Sequence, residues 1–169
     1  MSVNPDDIKA AMRLWASGVT IVTTANDTER IGTTASSFTS VALEPPLVLV
    51  CLFKEANATK QIVANQHFAV SILGEPHAGL SGQMAGFKDV PEGEDRFYGY
   101  EWFSQETGSP ILTDASAWFD CKIHAVHESG THSIIVGEVI ATGRQEYDPD
   151  PLLYYNRGYR QIITPDESA

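Results

Sequence analysis

The chain has 169 residues, 43% of them hydrophobic, which fills one core well and two poorly, so a single domain over 1–169 is expected. Eleven Lys and Arg against 22 Asp and Glu leave a net charge of −11 with no basic cluster, which argues against nucleic acid or an anionic membrane as partner. The first residues, MSVNPDDIK, carry neither the basic region nor the apolar core of a signal peptide, and the longest apolar run, 47–53, is too short to cross a bilayer, so a soluble cytoplasmic protein is predicted.

An amphipathic helix opens the chain over 1–17. Asn4 caps it, Pro5 suits its first position, and Ile8, Ala11, Met12 and Trp15 fall at helical spacing before Gly18 ends it. The β-branched run 19–25 reads as a strand and Asn26-Asp27-Thr28 as a turn. Residues 31–41 follow as a hydroxyl-rich strand or strand-loop, and Pro45-Pro46 forces an extended break before the strand 47–53. A short helix over 59–64 leads into the strand 68–73, weaker helical spacing covers 76–84, and 88–95 is a loop with Pro91 and Gly93.

In the second half, 118–127 alternates Phe119, Cys121, Ile123 and Ala125 on one face with Asp120, Lys122 and His124 on the other. Ser129-Gly130 turns the chain, 134–141 returns beside it, and 152–163 supplies one or two short strands before the polar tail 164–169. Six or seven strands with short connections and a few small helices predict a mainly β fold, a closed antiparallel barrel. Cys51 and Cys121 form no CxxC and sit in apolar strands, so buried free thiols are expected.

The chain lacks GxGxxG opening a helix after a strand, GxxxxGK[ST], GxSxG and HExxH, which disfavours a Rossmann dehydrogenase, a P-loop enzyme and an α/β-hydrolase. His124, His127 and His132 do not make a metal site, because 124 and 127 face opposite sides of a continuous strand and no carboxylate completes the set. The densest chemistry lies at Thr33, Thr34, Ser36, Ser37, Thr39 and Ser40, small hydroxyls beside accessible backbone amides. A phosphate held by such donors needs few cations. Water on a polar strand would satisfy them too.

GVTIVTT, TTASSFTSVALEPPLVLVCL, RF-x-G from Arg96 and PLLYYNRGYR, in that order over 16–162, resemble the short-chain flavin reductase family. The resemblance implies an FMN-binding split β-barrel with a Greek-key-like arrangement, usually a homodimer. It implies passage of hydride from NADH or NADPH to FMN or FAD, often for a separate monooxygenase component. A flavin-binding electron carrier or oxidase-like relative on the same barrel is the alternative.

Carried over by position, the resemblance places Thr33, Thr34, Ala35, Ser36 and Ser37 along the flavin ribityl and phosphate. Val50, Cys51 and Leu52 fall on the strand whose backbone edge meets the isoalloxazine ring, and their side chains also suit a core. Asn57 and Thr59 stand where relatives carry Ser-x-Thr near the phosphate, so Thr59 matches and Asn57 departs. Lys60 reads either as a further phosphate charge or as a solvated helix residue. Ser81 contacts flavin or caps a helix, and Arg96 contacts cofactor or holds its loop through Glu94 or Asp95. His132, the one catalytic candidate, matches a family Gly-Asp-His motif whose acid is replaced here by Thr131, and it is expected near the flavin or the nicotinamide. Tyr159 and Arg160 match a terminal Tyr-Arg, with Arg157-Gly158 in reversed order before them.

Overall fold

The computed structural model describes residues 3–147 and 149–163. The opening helix is shorter than its spacing predicts. It is α1 (Pro5–Met12), with Asn4 Oδ1 accepting from the Asp6 N–H at 3.0 Å. None of its residues is buried, so packing does little to prolong it, and Leu14 to Ala16 leave the helix.

Strands follow as β1 (Ser17–Gly18), β2 (Thr20–Ala25), β3 (Arg30–Ala35), β4 (Thr39–Leu43), β5 (Pro46–Phe53), β6 (His67–Ile72), β7 (Trp102–Ser104), β8 (Pro110–Leu112), β9 (Ala117–Ser129), β10 (His132–Arg144), β11 (Leu153–Tyr155) and β12 (Gly158–Arg160). Two helices interrupt them, α2 (Asn57–Asn65) and α3 (Ala78–Met84), the latter entered through a single tight turn at Glu75–His77. Seven strands form one antiparallel sheet in the order β3-β2-β6-β9-β10-β5-β4. The strand or strand-loop expected over 31–41 is therefore two strands, parted at residues 36–38. Since β3 and β4 are the opposite edges of the sheet and only three residues join them, the sheet curls into a split barrel.

Val22, Val50, Leu52, Phe68, Val70 and Ile135 fill the interior, joined by Ile62 from α2. A second core lies on the outer face of β2, where Ile21, Leu73, Leu80, Met84 and Leu112 pack together. Strands β2 and β6 are thus buried on both sides, and apart from His67 their sequences run apolar or hydroxyl-bearing without polar alternation. At Gly137 the barrel wall leaves no room for a side chain, because a Cβ there would lie 2.5 Å from the Phe68 ring.

The long hairpin β9–β10 stands as expected, but two bulges break its alternation. His124 is an extra residue between Ile123 and Ala125, which pair with the adjacent Gly137 and Val136, so Ala125 turns to the face opposite Ile123. Asp120 keeps the face that alternation gives it, yet it is buried there. It is 0% exposed, because the hairpin β7–β8 and the segment before it cover that face. The Thr107 backbone N–H donates to it at 2.9 Å, as does the Thr107 hydroxyl. Both cysteines are free, with Cys51 half-buried and the Cys121 thiol pushed up to about 12 by burial and by the neighbouring Asp120 charge. Among the described residues no helix is long and apolar enough to cross a membrane, and no three His, Cys, Asp or Glu gather as a metal site. The tail 164–169 lies outside the described residues.

Candidate functional site

Strand geometry divides the hydroxyl row. Thr33 pairs with Val22 and Thr34 with Ile21, so the two threonines face opposite sides of the sheet. Thr34 donates to the Ser81 carbonyl at 2.7 Å. Ala35 is buried in the core, and its carbonyl accepts the Thr20 hydroxyl at 2.8 Å. In the link that joins the two edge strands, Ser36 is exposed while Ser37 turns onto β5. The Ser37 Oγ accepts the Cys51 N–H at 3.1 Å and donates to the Cys51 carbonyl at 2.7 Å.

Ser37 therefore stitches the open seam of the barrel, and its only proton is already spent. Ser37→Ala should lower stability by about 1–2 kcal/mol, since it orphans two backbone groups of β5. Ser36→Ala should stay within about 0.5 kcal/mol of wild type. Thermal unfolding of the two variants decides it: equal midpoints would remove the stitching role.

On β5, Val50 and Leu52 point into the barrel interior, with Val50 at 0% exposed, and Ser37 holds the Cys51 backbone, so the outward Cys51 side chain is what this stretch leaves to a ligand. Ser81, at the middle of α3, accepts the Tyr159 hydroxyl at 2.9 Å on its Oγ. Thr34, Ser81 and Tyr159 thus form one hydrogen-bonded chain that ties β12 to α3 and β3. His132 opens β10 opposite Phe53, edge-on to that ring at 5.8 Å, with its Nδ1 2.9 Å from the Thr131 hydroxyl.

Thr33, Asn57 and Arg96 meet in a cleft of about 650 Å³. One wall is the N-terminus of α2, where Ala56 occupies the cap position and offers no side chain to the first amides. The opposite wall is the loop 94–97, held by Arg30. Its guanidinium grips Asp95 at 2.7 and 3.1 Å and lies 4.6 Å over the Phe97 ring. Partial burial pulls the Asp95 carboxyl up, but hydrogen bonds from Arg30 and the Phe97 N–H outweigh it and hold it below its ordinary value. Arg96 itself donates to the Met84 carbonyl at 3.1 Å, so neither Glu94 nor Asp95 is its partner.

Thr59 faces a second cleft, of about 390 Å³, with Lys54, Lys60 and Ser133. It is 2% exposed and its hydroxyl has no hydrogen-bond partner. Lys60 pairs with Glu55 at 2.9 Å, both of them exposed. Arg30 was not legible as a site residue, because its partner lies 65 positions away. The arrangement offers donors to an anion and supplies no nucleophile with its base. Ser109 and His67 lie 2.8 Å apart, yet Ser109 is fully buried and Asp120 meets Thr107 instead of the imidazole.

A split barrel whose open seam carries small hydroxyls, beside an uncapped helix N-terminus, defines a class of proteins built to hold a phosphate-bearing ligand against a strand edge. Within that class the chain belongs to the flavin reductase like domain family, which it matches over residues 12–163. It is 38% identical over 139 residues to the stachydrine N-demethylase reductase subunit Stc3 of Rhizobium meliloti, 82% of this chain but only 58% of that protein. It is 32% identical over 161 residues to the flavin-dependent monooxygenase reductase subunit HsaB of Mycobacterium tuberculosis, 95% of this chain and 83% of HsaB. Among solved structures, the Streptomyces globisporus NADH:FAD oxidoreductase SgcE6, in complex with NAD and FAD fragments, superposes with a TM-score of 0.85 at 33% identity, covering 99% of each chain. The chain thus spans little more than half of Stc3 and most of the other two.

Proposed function

We propose that this chain is a single-domain cytoplasmic NAD(P)H-dependent flavin reductase, active as a homodimer, that passes hydride from NADH or NADPH to FMN or FAD and supplies reduced flavin to an oxygenase component. The observation that carries this reading is the unsatisfied donor set around α2. Thr59 keeps a buried hydroxyl without a partner, and the first amides of α2 have no side-chain cap. Both fit a flavin phosphate, and Thr33 and Asn57 line the cleft at the start of α2. Bound flavin supplies the hydride acceptor. The chain's own part is to orient. The β5 edge at 50–52 backs the ring, the exposed Ser36 donates to the ribityl chain, and the Ser81–Tyr159 contact sets the wall opposite. His132, exposed beside Phe53, orients the nicotinamide, and no side chain acts as a general base.

Free flavin turnover tests it. Purified protein with excess FMN or FAD should oxidise many equivalents of NADH or NADPH. Tight yellow colour without nicotinamide oxidation would replace the reductase with a flavin-binding electron carrier.

A further inference from the structure

The chain is strongly acidic, with 22 Asp and Glu against 11 Lys and Arg, yet three of its cations border one cleft of about 510 Å³: Lys9, Arg13 and Arg157. Among the described residues no carboxylate lines it. Lys9 is taken by Asp6 at 2.9 Å in an exposed pair, whereas among the described residues Arg13 and Arg157 make no ion pair. A cleft of one sign on a surface of the other concentrates the field on whatever anion enters it.

The backbone holds the two arginines together. The Asn156 N–H donates to the Arg13 carbonyl at 3.0 Å, which fastens the β11–β12 turn to the end of α1. In that turn Asn156 and Arg157 have φ of 47° and 63°, the left-handed region in which glycine is the low-strain residue, while Gly158 stands one place later. An arginine kept in such a conformation is the kind of local strain found at binding sites. The cleft also has two aromatic walls, Trp15 at 71% exposed and Tyr154 at 40%. Ser36 and Ser37 form its inner border, so it is continuous with the barrel seam.

Cations on one side, flat aromatic walls and a border on the seam suit an anionic ligand that carries a purine. We propose that Arg13 and Arg157 bind the diphosphate of the reduced nicotinamide dinucleotide and that Trp15 and Tyr154 flank its adenine. Arg13 and Arg157 thereby set affinity for the hydride donor and not for the flavin. The assignment rests on the reductase reading for its substrate. FMN, which has no adenylate half, is the flavin to use in the test.

Replacing both arginines by Gln should raise the apparent KM for NADH about tenfold or more, with kcat at saturating NADH and the Kd for FMN within about twofold of wild type. ADP-ribose, which carries the diphosphate and adenine without the nicotinamide, gives a readout independent of turnover. It should quench tryptophan fluorescence in wild type and lose about tenfold in affinity in the double variant. Unchanged KM and unchanged ADP-ribose affinity would overturn the proposal. So would a loss of FAD affinity with KM for NADH intact, since the cleft would then belong to the flavin. ADP-ribose binding that depends on the arginines in a wild-type chain that oxidises no nicotinamide would keep the cleft assignment and sink the reductase reading.

Discussion

Asp120→Ala is expected to lower the thermal midpoint by about 6–12 °C, on the basis of about 3 kcal/mol lost in a chain of this size. The carboxylate is fully buried, and both of its contacts come from Thr107, through the backbone N–H and the hydroxyl. Removing it leaves the half-buried Thr107 N–H without its acceptor and the Thr107 hydroxyl with Ser109 Oγ alone. Asp120→Asn keeps one acceptor oxygen and should retain about half of that stability. The same chain of contacts continues from Thr107 to Ser109 at 2.9 Å and on to His67 at 2.8 Å, so a pH dependence accompanies the loss. Burial lowers the His67 pKa below its ordinary 6.5, against a weaker upward pull from the Asp120 charge. The folded state therefore binds that proton less readily than the unfolded chain. His67 contributes its full stability above the ordinary pKa, and the contribution is lost as pH falls through it toward the depressed folded value. Wild type should lose stability as pH falls below the ordinary histidine value of 6.5, and His67→Gln should flatten that slope. A wild-type midpoint in Asp120→Ala would remove the buried network from the account, and parallel slopes would remove His67.

Asp120 also shows where reading the sequence stops. Alternation along β9 groups it with Lys122 and His124, and nothing local marks it as the buried member of that face. Its burial comes from β7 and β8, three residues each and too short to leave a period. The division of 31–41 was hidden for a related reason. Ser36 to Phe38 contains no glycine or proline, and the seam is held by Ser37 reaching a strand 14 residues away. Strands with β-branched runs, the β9–β10 hairpin and the ordered motifs of the family were legible because they depend on neighbours in sequence. The hydroxyl row was legible as a dense set of donors, and its division between two faces follows from strand parity once β3 is bounded. Arg13 and Arg157 meet only when the last hairpin folds against the first helix, so no window of sequence contains that cleft.

Asn57→Asp should move two measurements in opposite directions. Asn57 is the first residue of α2, exposed, and borders the cleft that Thr33 shares. A carboxylate at the start of a helix that has only Ala56 as its cap meets the positive end of the backbone dipoles, and the flavin-free protein should gain about 0.3–1 kcal/mol. The same charge stands beside the site proposed for a flavin phosphate. At surface-like screening the repulsion amounts to about 2 kcal/mol, so flavin affinity should fall about thirtyfold. Raising the salt concentration should shrink the second effect, because both charges are reached by solvent. Asn57→Ser restores a neutral hydroxyl and should return affinity to near that of wild type. A helix residue without a ligand role would show only the gain in stability, so an unchanged flavin Kd in Asn57→Asp would move the phosphate away from α2. A loss that follows salt concentration, in a protein more stable than wild type without flavin, has no source other than an anion held at that helix end.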